Sequence, residues 1–372
     1  MKTLRLINTL GVGAMALMLA ASCESGDKEF GYDGETSVYF ANAGYERVVE
    51  LGEDQEADLT DDNNHIINIK AFCGGGYGNG SNITVDYVTD PSLCDGYTIN
   101  GSDIDVMPSN YYEIENKNQF TIASGSLMGG VRVHLTDAFF ADSKSYDQGY
   151  VIPVQLVKAT GVDKILENKN MTFCRVKFAN PWHATYLRRG KDVINGTTSY
   201  RHTQYMEKGE VINVVTKGLN QAQITVAVKD AAGVAHDVAL LLSFNGDDCT
   251  ITSNTEGVTA SGSGKFVKKC EDMGGIQRNA LYLNYKFQSD VLGSVETTDT
   301  LVVRNRGIKY TIFTPDKTSY RYNDKILERN VYLRWIHKVE EKVFELIDEN
   351  NFDESKYEIR WFRYSPGVEI ID

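Results

Sequence analysis

Tryptophan, proline and paired cysteine are scarce in this 372-residue chain, which has three Trp, six Pro and six Cys. So few prolines exclude a proline-rich spacer. No cysteines stand as Cys-x-x-Cys and no histidines as His-x-x-x-His, so the common zinc frames are missing. Equally missing are a Gly-x-Ser-x-Gly elbow, a His-Glu-x-x-His helix and an Asp-x-x-Asp-x-Asp-x-Glu strand. The six histidines are scattered, and none has a neighbouring motif that would make it a general base. The sequence therefore points away from an enzyme and away from a cofactor. Positive charge is short as well, with 38 Lys and Arg against 51 Asp and Glu, a net charge of -13. Nucleic acid is excluded as a partner, because a phosphate backbone demands clustered cations. The apolar stretch from Leu10 to Ala21 is too short for a membrane-spanning helix, which needs about 20 residues.

What is present suits packed cores. Hydrophobic residues make up 42% and aromatics 10% of the chain, a composition unlike that of disordered proteins. The length suggests two domains.

The N-terminus reads as an address. Lys2 and Arg5 precede the apolar stretch, which ends in Leu19-Ala20-Ala21-Ser22-Cys23. This resembles the lipobox of Bacteroidetes lipoproteins, although its leucine stands four residues before the cysteine rather than three. The resemblance implies that residues 1–23 are signal peptide and lipobox and that Cys23 is lipidated. Glu24, Asp27 and Glu29 follow in an acidic tether, 24–35, which resembles the signal for the outer leaflet. The implied location is the outer membrane, lipid-anchored and facing the exterior, with the anchor as the sole membrane contact. Each buried methylene contributes ~0.8 kcal/mol, and stable anchoring takes more than one lipid chain.

Beyond the tether, short alternating segments separated by turns predict a mainly β protein. Ser37–Phe40, Arg47–Leu51, His65–Phe72, Ile83–Val88, Val131–Leu135, Tyr150–Val157 and Met171–Phe178 suggest an immunoglobulin-like sandwich over 36–180. Pro153 favours an edge or a bulge. Asn180-Pro181-Trp182 marks a boundary, and a second β-sandwich domain is expected over 181–322. Its strands are Glu210–Thr216, Ala222–Val228, Asp237–Phe244, Ala280–Phe287, Asp299–Arg304 and Ile308–Phe313, with Thr259–Gly264 read as a turn. The tail, 323–372, is expected to form a short helix and strand. Ile336, Val339, Val343 and Leu346 fall on one helical face, and Trp335 and Trp361 dock this tail.

Once Cys23 is set aside, five cysteines remain. Cys73 and Cys94 are 21 residues apart, as are Cys249 and Cys270, and each pair could staple neighbouring strands in an oxidising compartment. The alternative that all five are unpaired core residues stays open, and Cys174 reads as a small buried hydrophobe. The acidic run Glu53, Asp54, Glu56, Asp58, Asp61 and Asp62 has carboxylates enough for calcium. It lacks an ordered calcium loop and reads as a solvated turn. Gly74–Gly80 fails the phosphate-loop spacing and reads as a hairpin loop.

The order of Val38–Phe40, Met107–Tyr112, Phe120–Gly125, Val131–Leu135 and Tyr150–Val154 resembles a known group. It is similar to the N-terminal Ig-like domain of unknown function found in lipoproteins of Bacteroidetes polysaccharide-utilisation loci, those in the SusE/SusF position. Asn180–His183, Tyr186–Gly190 and Asp299–Gly307 resemble the second β domain of such proteins. The resemblance implies a glycan-binding surface lipoprotein beside a SusC/SusD-like importer, and its motifs are structural rather than catalytic.

Glycans are held by aromatic faces together with amides, carboxylates and Arg. The densest such cluster is Trp182, His183, Tyr186, Arg188, Arg189, Tyr200, His202 and Tyr205, the candidate ligand face. The competing reading buries Trp182 and Tyr186 in the core. Thr300, in Asp299-Thr300-Leu301, resembles an O-glycosylation site of secreted Bacteroidetes proteins. The alternative function is that of a structural or adhesin-like lipoprotein that holds a protein partner through its second domain or tail.

Overall fold

The computed structural model describes residues 34–317 except 55–56, 77–78, 195, 202–208 and 231–233, and beyond them only four two-residue β pieces. Cys23 and its leader, His202, Tyr205, Trp335, Trp361 and the expected tail helix lie outside the described residues. The protein is mainly β, as its alternating pattern predicts, with only short helices.

The first unit contains β1 (Ser37–Tyr39), β2 (Gly44–Glu50), β3 (Ile66–Gly74), β4 (Ile83–Val88), β5 (Tyr97–Ile99), β6 (Ser102–Asp103), β7 (Tyr112–Ile114), β8 (Gln119–Ile122), β9 (Met128–Leu135), β10 (Tyr150–Thr160), β11 (Lys164–Ile165) and β12 (Met171–Ala179). One sheet runs β11-β1-β3-β9-β7, and β2-β12-β10-β4-β8 form the body of the other. Every second residue points inward. Ile67, Ile69 and Ala71 from β3 and Val131 and Val133 from β9 meet Ile83 and Val85 of β4 and Ile152 and Val154 of β10 in one core. Pro153 stands inside the second sheet. At its position β10 pairs with β12 alone, because pairing with β4 begins only at Gln155, so no ladder bond is lost.

The second unit departs from the expected sandwich. It contains β13 (Ala184–Ile194), β14 (Thr197–Arg201), β15 (Glu210–Gly218), β16 (Gln221–Lys229), β17 (Ala235–Asn245), β18 (Asp248–Ser253), β19 (Thr259–Met273), β20 (Ile276–Ser289) and β21 (Gly293–Asn305). The sheet passes from β13 through β15 to β21, and β21 then pairs with β13 from Thr185↔Asn305 to Ile194↔Val295. Eight strands thus close into a barrel in which each pairs with a neighbour on both sides, and β14 adds to β13 as an outer strand. At this strand number the interior is just wide enough for side chains to fill it. Tyr186, Leu240, Leu281, Leu283 and Phe287 do so.

Thr259–Gly264, read as a turn, is the start of the long strand β19. Its small residues answer a packing need. A Cβ on Gly264 would stand 2.4 Å from Leu283 Cδ2 and 2.8 Å from Cys249 Sγ inside the barrel.

After β21 the chain returns to the first unit. β22 (Thr311–Phe313) pairs with β2 as a new sheet edge, and β23 (Asp316–Lys317) pairs with β5. Phe313 packs with Cys94, Ile99 and Phe173 in a small separate core.

The two suggested disulfides do not form, and Cys73, Cys94, Cys174, Cys249 and Cys270 are free thiols. Cys73 belongs to the sandwich core and Cys94 to the small core around Phe313. Cys249 points into the barrel, whereas the Cys270 thiol donates to the Val267 carbonyl at 3.3 Å.

Candidate binding crevice

The candidate ligand face is not one surface. Along β13 and the residue pair before it, Trp182, Ala184, Tyr186 and Arg188 all point into the barrel and are buried. Trp182 lies on Phe244, with ring centroids 3.7 Å apart. Tyr186 is fully buried and donates its hydroxyl to the Trp182 carbonyl at 2.9 Å. These two aromatics are core residues, the competing reading of the cluster. The half-buried His183 accepts at Nδ1 from the Thr216 backbone N–H at 3.2 Å. Burial, with the Arg306 charge nearby, pushes its pKa down to about 4. Arg189 points outward and pairs with Glu271 at 2.6 Å. Tyr200 is exposed on β14.

Arg188 enters a buried charged network. Its Nε donates to Asp299 Oδ2 at 3.0 Å and its Nη1 to Glu210 Oε2 at 3.1 Å. Tyr285 donates its hydroxyl to the same Asp299 oxygen at 2.8 Å. Arg201 reaches in from β14 to bond both Asp299 and Asp192. A carboxylate with this many donors is fully engaged, so the network lies within the barrel interior and presents no open site. Thr300 follows Asp299 mid-strand and pairs with Arg189 on one side and Tyr282 on the other. That setting speaks against glycosylation of the folded chain, since the neighbouring Asp299 is buried and no loop presents the tripeptide.

A different place has the makings of a binding site. Where sandwich meets barrel lies a crevice of about 420 Å³, lined by Glu50, Glu53 and Asp54 from the first unit and by Arg278, Asn279, Arg304, Asn305, Arg306 and Lys309 from the second. Its size falls within the range of small-ligand pockets. Arg306 fixes its back wall. Although only 8% exposed, Arg306 donates to the carbonyls of Leu51, Asn180 and Pro181 at 3.1–3.2 Å. Asn180 locks the same junction by donating to the Gly218 and Gln221 carbonyls at 3.0 and 2.7 Å. Gly52 allows the tight approach. Its φ is +98°, and a Cβ there would meet Pro181 Cβ at 2.8 Å. The junction behind the crevice is therefore fixed by two buried side chains, Arg306 and Asn180, bonded to backbone carbonyls.

Its electrostatics are mixed. Glu53 pairs with Lys268 of β19 across the junction at 2.9 Å. Burial pushes the Glu50 carboxyl up, against the pull of Arg306. Among the described residues, Arg278, Arg304 and Lys309 take part in no ion pair. The acidic run is thus only partly a solvated turn. Asp62 is buried, bonds Arg47 and accepts from the Glu50 N–H at 2.8 Å, which fixes the strand end that carries Glu50 to the rim. Among the described residues, no group of three His, Cys, Asp or Glu side chains converges in a metal-binding arrangement.

Sequence reasoning missed this crevice. Arg304-Asn305-Arg306-Gly307 stood out as a structural motif and Glu53-Asp54 as a turn, but nothing in their spacing joins them. Arg278 carried no signal at all.

Two family models match. One is described as a domain of unknown function, DUF5627, and matches residues 181–307, and the other is an N-terminal domain model matching residues 32–163. The chain is similar to a Bacteroides ovatus protein of unknown function whose crystal structure is known. Identity is 37%, the match covers 77% of this chain and 100% of that one, and the TM-score is 0.71. Lesser similarity links it to a second Bacteroides ovatus protein of unknown function, at 12% identity, 78% and 99% coverage and a TM-score of 0.35. An auxiliary nutrient binding protein from Bacteroides thetaiotaomicron matches at 13% identity, 70% and 89% coverage and a TM-score of 0.33. No curated protein matches the chain.

Proposed function

The chain belongs to the family of the 37%-identical Bacteroides ovatus protein, with a DUF5627 domain as its second half, and on that footing we propose that it is a non-catalytic surface protein that binds glycan in the crevice between sandwich and barrel. The observation that carries this reading is the crevice lining. Carboxylates from one unit face guanidinium groups and amides from the other around about 420 Å³. A polyhydroxylated ligand uses both kinds of wall, because each hydroxyl donates one hydrogen bond and accepts others. Preorganisation by Arg306 and Asn180 lowers the cost of binding. The finer reading is that of a lipoprotein anchored through Cys23 on the outer leaflet, serving a SusC/SusD-like importer. It rests on the leader and on the resemblance of the sequence motifs.

The test is retardation of soluble residues 24–372 in native gels loaded with plant, host and microbial polysaccharides. Binding by one glycan class that is lost in Asp54→Asn and Asn305→Ala, at unchanged melting temperature, supports the crevice. Binding that survives both substitutions moves the site elsewhere.

A second reading, a protein partner, draws on β22. This short sheet edge is flanked by Tyr310, 65% exposed, and carries Ile312, 57% exposed. Ile312→Lys distinguishes the two ideas, since it spares glycan retardation and disrupts only capture through the edge.

A further inference from the structure

We propose that the ligand of this crevice carries a negative charge, a carboxylate or sulfate on a sugar ring; the inference rests on the glycan-binding reading above. Arg278, Arg304, Arg306 and Lys309 line the crevice against Glu50, Glu53 and Asp54. Glu53 is already neutralised by Lys268, which is not part of the lining. The remaining balance is positive, in a chain whose net charge is -13. Arg306 spends its Nη groups on backbone carbonyls and its charge is offset in part by Glu50 and Asp54, which leaves Arg278, Arg304 and Lys309 as the excess.

Donor accounting points the same way. Arg304 and Lys309 are exposed on the crevice wall and, among the described residues, pair with no carboxylate. Guanidinium and ammonium nitrogens donate and never accept, so a ligand that displaces their water brings acceptors. A neutral hydroxyl offers an acceptor but no charge. An oxyanion offers both, and charge-assisted bonds are roughly twice as strong as neutral ones. Carboxylate and sulfate share this chemistry. Placement adds selectivity. A polyanionic chain is repelled by the acidic body as a whole, and screening confines that repulsion to about 8 Å at physiological salt. The cationic crevice is the place where such a chain gains by docking.

The experiment uses soluble residues 24–372 and two matched probe pairs in titration calorimetry. Oligogalacturonate is compared with its methyl ester, and dextran sulfate with dextran. The expected result is binding of at least one anionic member and none of its neutral twin, weakening between about 0.05 M and about 0.5 M sodium chloride. The double variant Arg304→Gln/Lys309→Gln should weaken binding about tenfold or more. Both side chains are exposed, so its melting temperature should match that of the parent. Which pair responds identifies the oxyanion as carboxylate or sulfate. Equal binding of neutral and anionic twins, binding of neutral glycans alone, or an unaffected double variant overturns the anionic ligand while leaving glycan binding in place. Failure of every neutral and acidic glycan to bind removes the glycan reading, and this inference with it.

Discussion

The indole of Trp182 lies flat on the ring of Phe244, with planes 7° from parallel, and both belong to the barrel core. Trp182 is therefore part of the packing of the second unit. Trp182→Ala should cost about 3–5 kcal/mol of stability, as large-to-small core substitutions of aromatics do. Urea denaturation followed by circular dichroism measures this. Undiminished stability together with lost glycan binding would restore Trp182 to the ligand face.

Arg188 and Asp299 form a buried pair, with Arg188 Nη2 2.9 Å from Asp299 Oδ2. Removing one member leaves an unpaired buried charge, so Asp299→Leu should destabilise the protein by about 3–5 kcal/mol. The double variant Arg188→Met/Asp299→Leu should recover much of that loss, because an apolar pair avoids the desolvation of both ions. A double-mutant cycle from chemical denaturation reads the coupling, and equal losses in the single and double variants would contradict it.

His183 predicts a pH dependence. Its folded pKa is about 4, against an ordinary value of 6.5. The unfolded chain therefore takes up a proton near pH 6.5 and the folded chain only near pH 4. The sign follows: stability is unaffected by this group above pH 6.5, falls as pH drops from 6.5 to 4, and levels off below. The full loss is about 3 kcal/mol. His183→Asn should remove this slope, which denaturant midpoints at pH 7 and pH 4.5 for both proteins will reveal. Parallel slopes would refute the assignment.

Thiol titration checks the cysteines. Residues 24–372, denatured without reductant, should titrate as five thiols, for Cys73, Cys94, Cys174, Cys249 and Cys270. In the folded protein, burial pushes Cys94, Cys174 and Cys249 up to about 12, so they should react slowly. The half-buried Cys270 should be labelled first. A denatured titre of one or three thiols would reinstate a bridge.

Gly264 tests barrel closure. Gly264→Ala places a methyl group against Leu283 and Cys249 and should cost about 1–3 kcal/mol. Gly80→Ala, where a Cβ meets nothing within 4 Å, should change stability by no more than about 0.5 kcal/mol. Similar losses at both positions would count against the packing argument.

Much of this architecture was legible beforehand. Ile67, Ile69 and Ala71 alternate with Asn68 and Lys70, and period-two alternation is a local property that survives into β3 unchanged. The same signal located β4, β12, β16 and β17. The Thr259–Gly264 stretch misled because serine and glycine are turn formers. Their use here is steric, set by Leu283 and Cys249 on other strands, and the local sequence holds no record of those neighbours.

The candidate site divides along the same line. Trp182, Tyr186 and Arg188 were conspicuous as residue types, but their even spacing along β13 and the residue pair before it turns all three inward. Glu53 and Arg304 were visible in separate segments, 251 positions apart in sequence. By itself the sequence determined the β class, the positions of the strands that alternate cleanly and the acidic balance, because alternation and charge are read residue by residue. Only the tertiary structure decided that the second unit closes β21 on β13, that five thiols stay unpaired, and that acids of the first unit face cations of the second. Each of these depends on which distant segments meet, and that is set by global packing rather than by local preference.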